Sequence, residues 1–444
     1  MTELTHPKPE ARNYKNKLRL VIYIVLSISC LLIIVPNLQD MVVAAGNSYS
    51  PYPGKNLMID YMLGVLWAAT LGFSILFWPV PSRDRKALIW IWLVKAVVAL
   101  VLMLGYEYIY AFDVDGYFTN AVSPYFIWKG FSFDNGTSTT QQLTWLHLKI
   151  VPGSYHAAKV GFAMFGLVGV YLIYRAAVIF LRREDIRILY VLALFPSILF
   201  WSSILGKDPI TLLGISLYVY GVVAWHQLKQ PRHLLTLALG ILIVALIRLW
   251  LAPILVAPLM VFIIVGRRSF IWRMALMVIC GSVFMLALPK IQDMWSMSTV
   301  EDLFEFRSYA LGASIGGGSS FRAREITGFN ISMKYLPLGI FIALFRPLPL
   351  DVPNIFGTLQ SLDNLILLFL LCMAVKRTRL KELKEPLVLW AIFLVLTWAA
   401  LYGNVIYNLG TLVRYKLQIL PVLLGLLLYL SRRRTRSKLS TQLR

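Results

Sequence analysis

Apolar residues run in long blocks along this chain, and polar residues are confined to short gaps between them. A helix needs ~20 apolar residues to cross the hydrocarbon of a bilayer. Blocks that reach or approach this length lie at 18–37, 57–80, 87–112, 158–181, 188–205, 209–226, 234–248, 251–265, 270–290, 355–375, 386–403 and 412–430. The gaps alternate in charge. Ser82 to Lys86, Arg182 to Asp185, His226 to His233, Gly266 to Arg268, Lys376 to Lys384 and the tail Arg432 to Arg436 are basic. Placing every basic gap in the cytoplasm predicts an all-α polytopic membrane protein. It has about twelve spans and both termini inside, by the positive-inside rule. The basic N-terminus precedes block 18–37 without a small-residue cleavage site, so this block reads as a retained first span.

Residues 335–350 resist this count. They are apolar but hold three prolines and Arg346. A span there would move Lys376 to Lys384 outside, so the segment is read as re-entrant or interfacial. Such backbone is tolerated only where protein or a water-filled cavity covers it. Blocks 234–248 and 251–265 are short and joined by Arg248-Leu-Trp250, which predicts a tight outer hairpin. Two long outer loops remain, 113–156 and 291–354. The first is aromatic and ends in Trp145-Leu-His147-Leu-Lys149, which suits an interfacial helix. The second joins an acidic patch (Glu301, Asp302, Glu305) to a Gly-rich run, Gly316 to Ser320, that suits a lid or linker. No soluble domain is appended.

Composition agrees with the pattern. The chain is 59% hydrophobic and only 14% charged, against ~25% charged in soluble proteins. Its net charge of +22 is spread over the inter-span gaps. No single basic face can be assembled from them, which argues against nucleic acid as a partner. Cys30, Cys280 and Cys372 all lie in apolar blocks and read as buried packing residues, with no disulfide framework. The five histidines have no metal-ligand spacing. Asn135-Gly-Thr137 and Asn330-Ile-Ser332 match a glycosylation sequon, a pattern short enough to recur by chance.

Against this apolar background, ionisable groups away from the basic gaps stand out as candidate chemistry. Asp113 and Asp115 end an apolar block and open the first long loop. They either mark the water boundary or act as a general base or acceptor ligand. Asp115 is favoured, because Gly116 lets backbone approach a ligand closely. Lys207-Asp208-Pro209 opens a block. Asp208 is either an N-cap with proline in the first helical turn, or part of an anion site built on the helix N-terminus and Lys207. Arg248, Arg307, Arg322, Arg324, Arg346 and Arg414, with Lys416, fall on the outer side of the predicted topology. Any one can snorkel toward headgroups. Together they suit bidentate binding of a membrane-borne anion.

The order of these features resembles the GT-C superfamily of polytopic glycosyltransferases. The resemblance runs from Asp113-X-Asp115-Gly-Tyr117 through Phe195-Pro196 and Lys207-Asp208 to Arg414-Tyr415-Lys416 before Leu420-Pro421. It implies transfer of a sugar from a polyprenyl-phosphate carrier to a glycan, lipid or protein acceptor on the non-cytoplasmic face. Asp115 or Asp113 would then be the base, Asp208 the second acidic position and Arg414 a phosphate contact. Arg346 and Arg322 join on the charge argument alone. Some members of the superfamily need a divalent metal, and no ligand set in this sequence decides the point. The chain departs from the pattern in placing its acidic loop after the third block and not the first, so that 18–80 would be an added hairpin.

Two other readings compete. A polymerase of lipid-linked oligosaccharide repeats would share the span count and the arginine-rich outer loops. A secondary transporter would share two halves of six spans. Against the transporter, Ser82 to Arg85 lacks glycines, and the acids singled out lie at span ends. The compact chain without retention or lipidation signals suggests a bacterial inner membrane.

Overall fold

The computed structural model describes residues 57–109, 114–133, 135–151, 153–265, 270–294, 329–351, 355–406 and 408–433. The predicted first span, the Gly-rich run, the acidic patch, Asp113, Arg307, Arg322 and Arg324 lie outside the described residues.

The fold is all-helical, with 83% helix and no strands among the described residues. It begins with α1 (Leu57–Ser74). Then α2 (Ser82–Val97) passes through a π-turn into α3 (Met103–Ile109). The first loop holds α4 (Val114–Val122) and α5 (Gly136–Ile150). The bundle continues with α6 (Tyr155–Leu181), α7 (Ile186–Leu194), α8 (Pro196–Trp201), α9 (Lys207–Leu228) and α10 (Arg232–Ile247). Next come α11 (Leu251–Val256), α12 (Met260–Ile264), α13 (Phe270–Met294) and α14 (Phe329–Phe345). The chain closes with α15 (Ile355–Arg377), α16 (Leu380–Leu383), α17 (Pro386–Val405), α18 (Leu409–Lys416) and α19 (Leu420–Ser431).

Among the described residues, five helices are long and apolar enough to cross a membrane: Met58–Phe77, Tyr155–Leu181, Lys207–Leu228, Gly357–Arg377 and Pro386–Gly403. A sixth span forms if α18 and α19, bent by 68°, are taken together. Several predicted blocks instead fold as short or broken helices. Block 188–205 breaks at Phe195, where Pro196 cannot continue the ladder of α7 and instead opens α8. Segment 335–350 is helical to Phe345, then turns at Arg346, so its apolar part continues α14 beside α17.

Among the described residues, the basic gaps meet at one end of the bundle. Asp84 at the start of α2 accepts from Tyr171 and Tyr174 near the end of α6. Arg182 reaches Gln227 at the end of α9. Phe180 packs on Tyr429, and Arg432 pairs with Glu382. Cys280 is buried, but Cys372 is exposed on α15, contrary to the expectation that all three cysteines pack inside. The helical repeat turns it off the packed face, which a hydropathy block does not reveal.

Helix contacts are close where glycine permits. A Cβ on Gly240 of α10 would lie 2.4 Å from Tyr218 N and 2.6 Å from Gly214 O on α9. Gly403 of α17 meets Gly339 of α14 as tightly: a Cβ there would lie 2.0 Å from the Gly339 carbonyl oxygen. Small residues let backbones approach where lipid supplies little driving force. Gly240→Ala is therefore expected to separate α9 from α10 and to cost about 1–3 kcal/mol, read as a lower melting temperature in detergent.

Candidate functional site

At the end opposite the basic gaps, four parts of the chain converge on Asp208. The helix α9 begins at Lys207, and Gly206 at its N-cap makes no side-chain cap. The expectation of Asp208 as N-cap is thereby corrected: it is the second helical residue. Its oxygens are committed elsewhere. Oδ1 accepts from Arg248 Nη2 at 2.7 Å, and Oδ2 accepts from Arg414 Nε at 2.5 Å. Asp208 and Arg248 are each 2% exposed.

Arg248 sits in the turn between α10 and α11 that the sequence predicted, its N–H bonded to Val244 O. Its guanidinium stacks on the Tyr415 ring, 3.9 Å from the centroid. Its Nη1 is buried and has no hydrogen-bond partner. A buried donor without a partner costs ~1–3 kcal/mol, so the site favours an added acceptor.

Lys207 Nζ donates to Thr137 Oγ1 at 2.7 Å and lies 6.0 Å from the Tyr117 ring centroid. Thr137 is presented by α5, whose N-terminus Asn135 caps by accepting from Thr137 N and Ser138 N. The sequon asparagine is thus in use as a cap. Tyr117 is buried on α4 and lies against Gly206. Asp115 is on the first turn of the same helix, two residues before Tyr117. The long loop is therefore folded down onto the cluster. On α5, Trp145 and Lys149 pair through a cation–π contact, while His147 is turned inward against Trp67.

Of the other predicted cations, the described Arg346 and Lys416 form a second group. Arg346 is held by Asp351, with bonds of 2.8 and 2.6 Å. This pair and the bond from Leu348 N keep the Asp351 carboxyl below its usual range. Lys416 Nζ donates to Arg346 O at 3.0 Å and Asn364 Oδ1 at 2.9 Å. Arg414 and Lys416 share α18 but point apart, since two residues turn a helix by about 200°.

The sequence reading missed several ionisable groups inside helices. Lys95, Glu107, Lys159 and Asp363 are all buried. Glu107 pairs with Lys159 at 2.9 Å and accepts from Tyr155 at 2.8 Å. Lys95 donates to Ser202 and Ser203. The signal was present, because a charge within an apolar block is functional or partnered by default. It also weakens the expectation that acids lie only at span ends.

Among the described residues, no group of three His, Cys, Asp or Glu gathers where a metal could bind. Asp208 does not fit as a metal ligand, because two guanidinium groups occupy its oxygens. Asp208 is the described carboxylate of this cluster, and it faces Arg248, Arg414 and neighbouring Lys207. The charge of this arrangement suits an anion better than a cation.

His147 gives a check on the packing of the loop. Burial lowers its imidazole to about 4, and neither ring nitrogen has a hydrogen-bond partner. Its folded value lies below the unfolded value of ~6.5, so the contribution is complete above that pH and is lost as pH falls toward 4. His147→Leu is expected to flatten the fall in melting temperature across that window. An unchanged slope would mean that the imidazole is hydrated.

No protein-family model, curated protein or solved structure matches this chain.

Proposed function

We propose that this chain is a membrane glycosyltransferase that moves a sugar from a polyprenyl-phosphate carrier to a glycan, lipid or protein acceptor. In this reading the bundle has about twelve spans with the basic end cytoplasmic, and it sits in a bacterial inner membrane. The observation that carries the reading is the convergence of the Arg248 turn and α18 on Asp208 at the start of α9, with α4 against the adjoining Gly206 and Lys207 and the buried Arg248 Nη1 lacking a partner.

The chemistry needs three things. The acceptor hydroxyl must meet the anomeric carbon, lose its proton, and expel the carrier phosphate with the bonding electrons. Asp115 takes the proton as the acceptor C–O bond forms and the bond from sugar to phosphate oxygen breaks. Arg248 and Arg414 receive charge on the departing phosphate, and Lys207 flanks them. Preorganised donors aimed at developing charge are the largest single source of rate in such a site. Asp208 holds both guanidinium groups in place and is a positioning residue.

Purified protein with a short-chain polyprenyl-phosphate sugar should release polyprenyl phosphate. Asp115→Asn should abolish release while leaving the melting temperature near that of the wild type. Full activity in that variant would remove Asp115 as the base. No release with several sugars would favour the repeat polymerase, whose donor is a lipid-linked oligosaccharide.

A secondary transporter is the second reading, favoured by the buried ionisable groups within helices. Those groups are already satisfied: Glu107 by Lys159, Asp363 by Ser197 and Lys95 by two serines. Satisfied groups suit a structural role better than a transport path.

A further inference from the structure

The helix break between α7 and α9 presents Lys207 and Asp208, and two buried charges from other helices grip its two ends. Asp363 comes from the span α15. Its Oδ2 accepts from Ser197 N at 2.8 Å and Ser197 Oγ at 2.5 Å, at the first turn of α8. Lys95 comes from α2. Its Nζ donates to Ser202 Oγ at 2.5 Å and Ser203 Oγ at 3.0 Å, just past the end of α8. Both serine hydroxyls donate back to Ile198 O and Leu199 O, so each offers a lone pair to the lysine.

All five partners are buried, Lys95 at 2% and Asp363 at 3% exposure. At ~1.5 Å per residue, each charge lies about 20 Å from the basic end of its own helix, so the two grips sit at similar depth. Backbone of α6 presses on the same link, where a Cβ on Gly166 would lie 2.3 Å from Ser202 O. The Ser203 contact is four residues from Lys207. A charge buried in a span is expensive and persists where it does a job.

We infer that Asp363 and Lys95 are positioning residues that clamp the broken segment 196–206 and thereby set Lys207 and Asp208 against Arg248 and Arg414. The clamp is a property of the fold, and its effect on ligand rests on the reading of that cluster as a phosphate site. Asp363 also faces Lys416, whose Nζ bonds its neighbour Asn364, so the clamp reaches α18, which carries Arg414.

The test compares Asp363→Leu, Asp363→Asn and Lys95→Met with wild type by hydrogen exchange at 196–208 and by affinity for a short-chain polyprenyl phosphate. Asp363→Leu and Lys95→Met should speed exchange across 196–208 and weaken binding about tenfold, the equivalent of one charge-assisted hydrogen bond. Asp363→Asn keeps an acceptor for both Ser197 donors and should restore both readouts. Ser197→Ala is the milder variant if the leucine protein does not fold, and a smaller change in the same direction is expected. Unchanged exchange at 196–208, faster exchange with full affinity, or an asparagine variant as poor as leucine would overturn the clamp. Wild type that binds no polyprenyl phosphate would refute the transferase reading alone, and the exchange pattern would still decide the clamp.

Discussion

Asp208→Leu is expected to destabilise the protein by about 3–5 kcal/mol, the cost of breaking a buried ion pair by removing one partner. The carboxylate is 2% exposed and serves two guanidinium groups, of which Arg248 is equally buried. Without it, Arg248 keeps only its Tyr415 face, and its Nη1 is already without a partner. The double variant Asp208→Leu with Arg248→Met should be more stable than Asp208→Leu alone, because an apolar pair replaces an uncompensated charge. Melting temperatures of the two proteins and of Arg248→Met complete a cycle that isolates the coupling. Additive losses would mean that the pair does not interact in the folded protein.

Arg414→Ala is the second large effect, and it falls on binding and not on folding. Arg414 is partly exposed, with 14% of its side chain accessible, and Arg248 continues to neutralise Asp208 when it is removed. The loss should be about ten- to hundredfold in affinity for polyprenyl phosphate, the range of one hydrogen bond to a charged group. Wild-type affinity in this variant would assign Arg414 to holding Asp208 alone. Arg346→Ala provides a contrast. Asp351 holds that guanidinium with two bonds, so its removal should lower stability and leave affinity near wild type.

Much of this was legible in the chain. Hydropathy blocks gave an all-helical membrane bundle, and charge alternation placed the basic gaps together, where Asp84, Arg182 and Arg432 meet the ends of neighbouring helices. The sequence also singled out Asp208, Arg248 and Arg414, since each is an ionisable residue at the edge of an apolar block. Their pairing was not legible, because Arg414 is more than two hundred residues from its partner. The N-cap expectation for Asp208 failed for the same reason: a local rule was overridden by two distant cations. Block periodicity could not foresee the breaks at Pro196 and after Lys416, where helices shorten to six and eight residues. Lys95 and Asp363 were passed over because hydropathy averaged across a block hides one charge, and depth in a span is what makes that charge informative.

In the proposed function the Asp208 cluster holds the phosphate of a carrier lipid. The most direct test is binding of a short-chain polyprenyl phosphate to the purified protein by native mass spectrometry, against the uncharged polyprenol, in wild type and Arg248→Met. The phosphate is expected to bind, the alcohol not to compete, and Arg248→Met to weaken the phosphate about tenfold or more. Equal retention of phosphate and alcohol, unaltered in Arg248→Met, would contradict it.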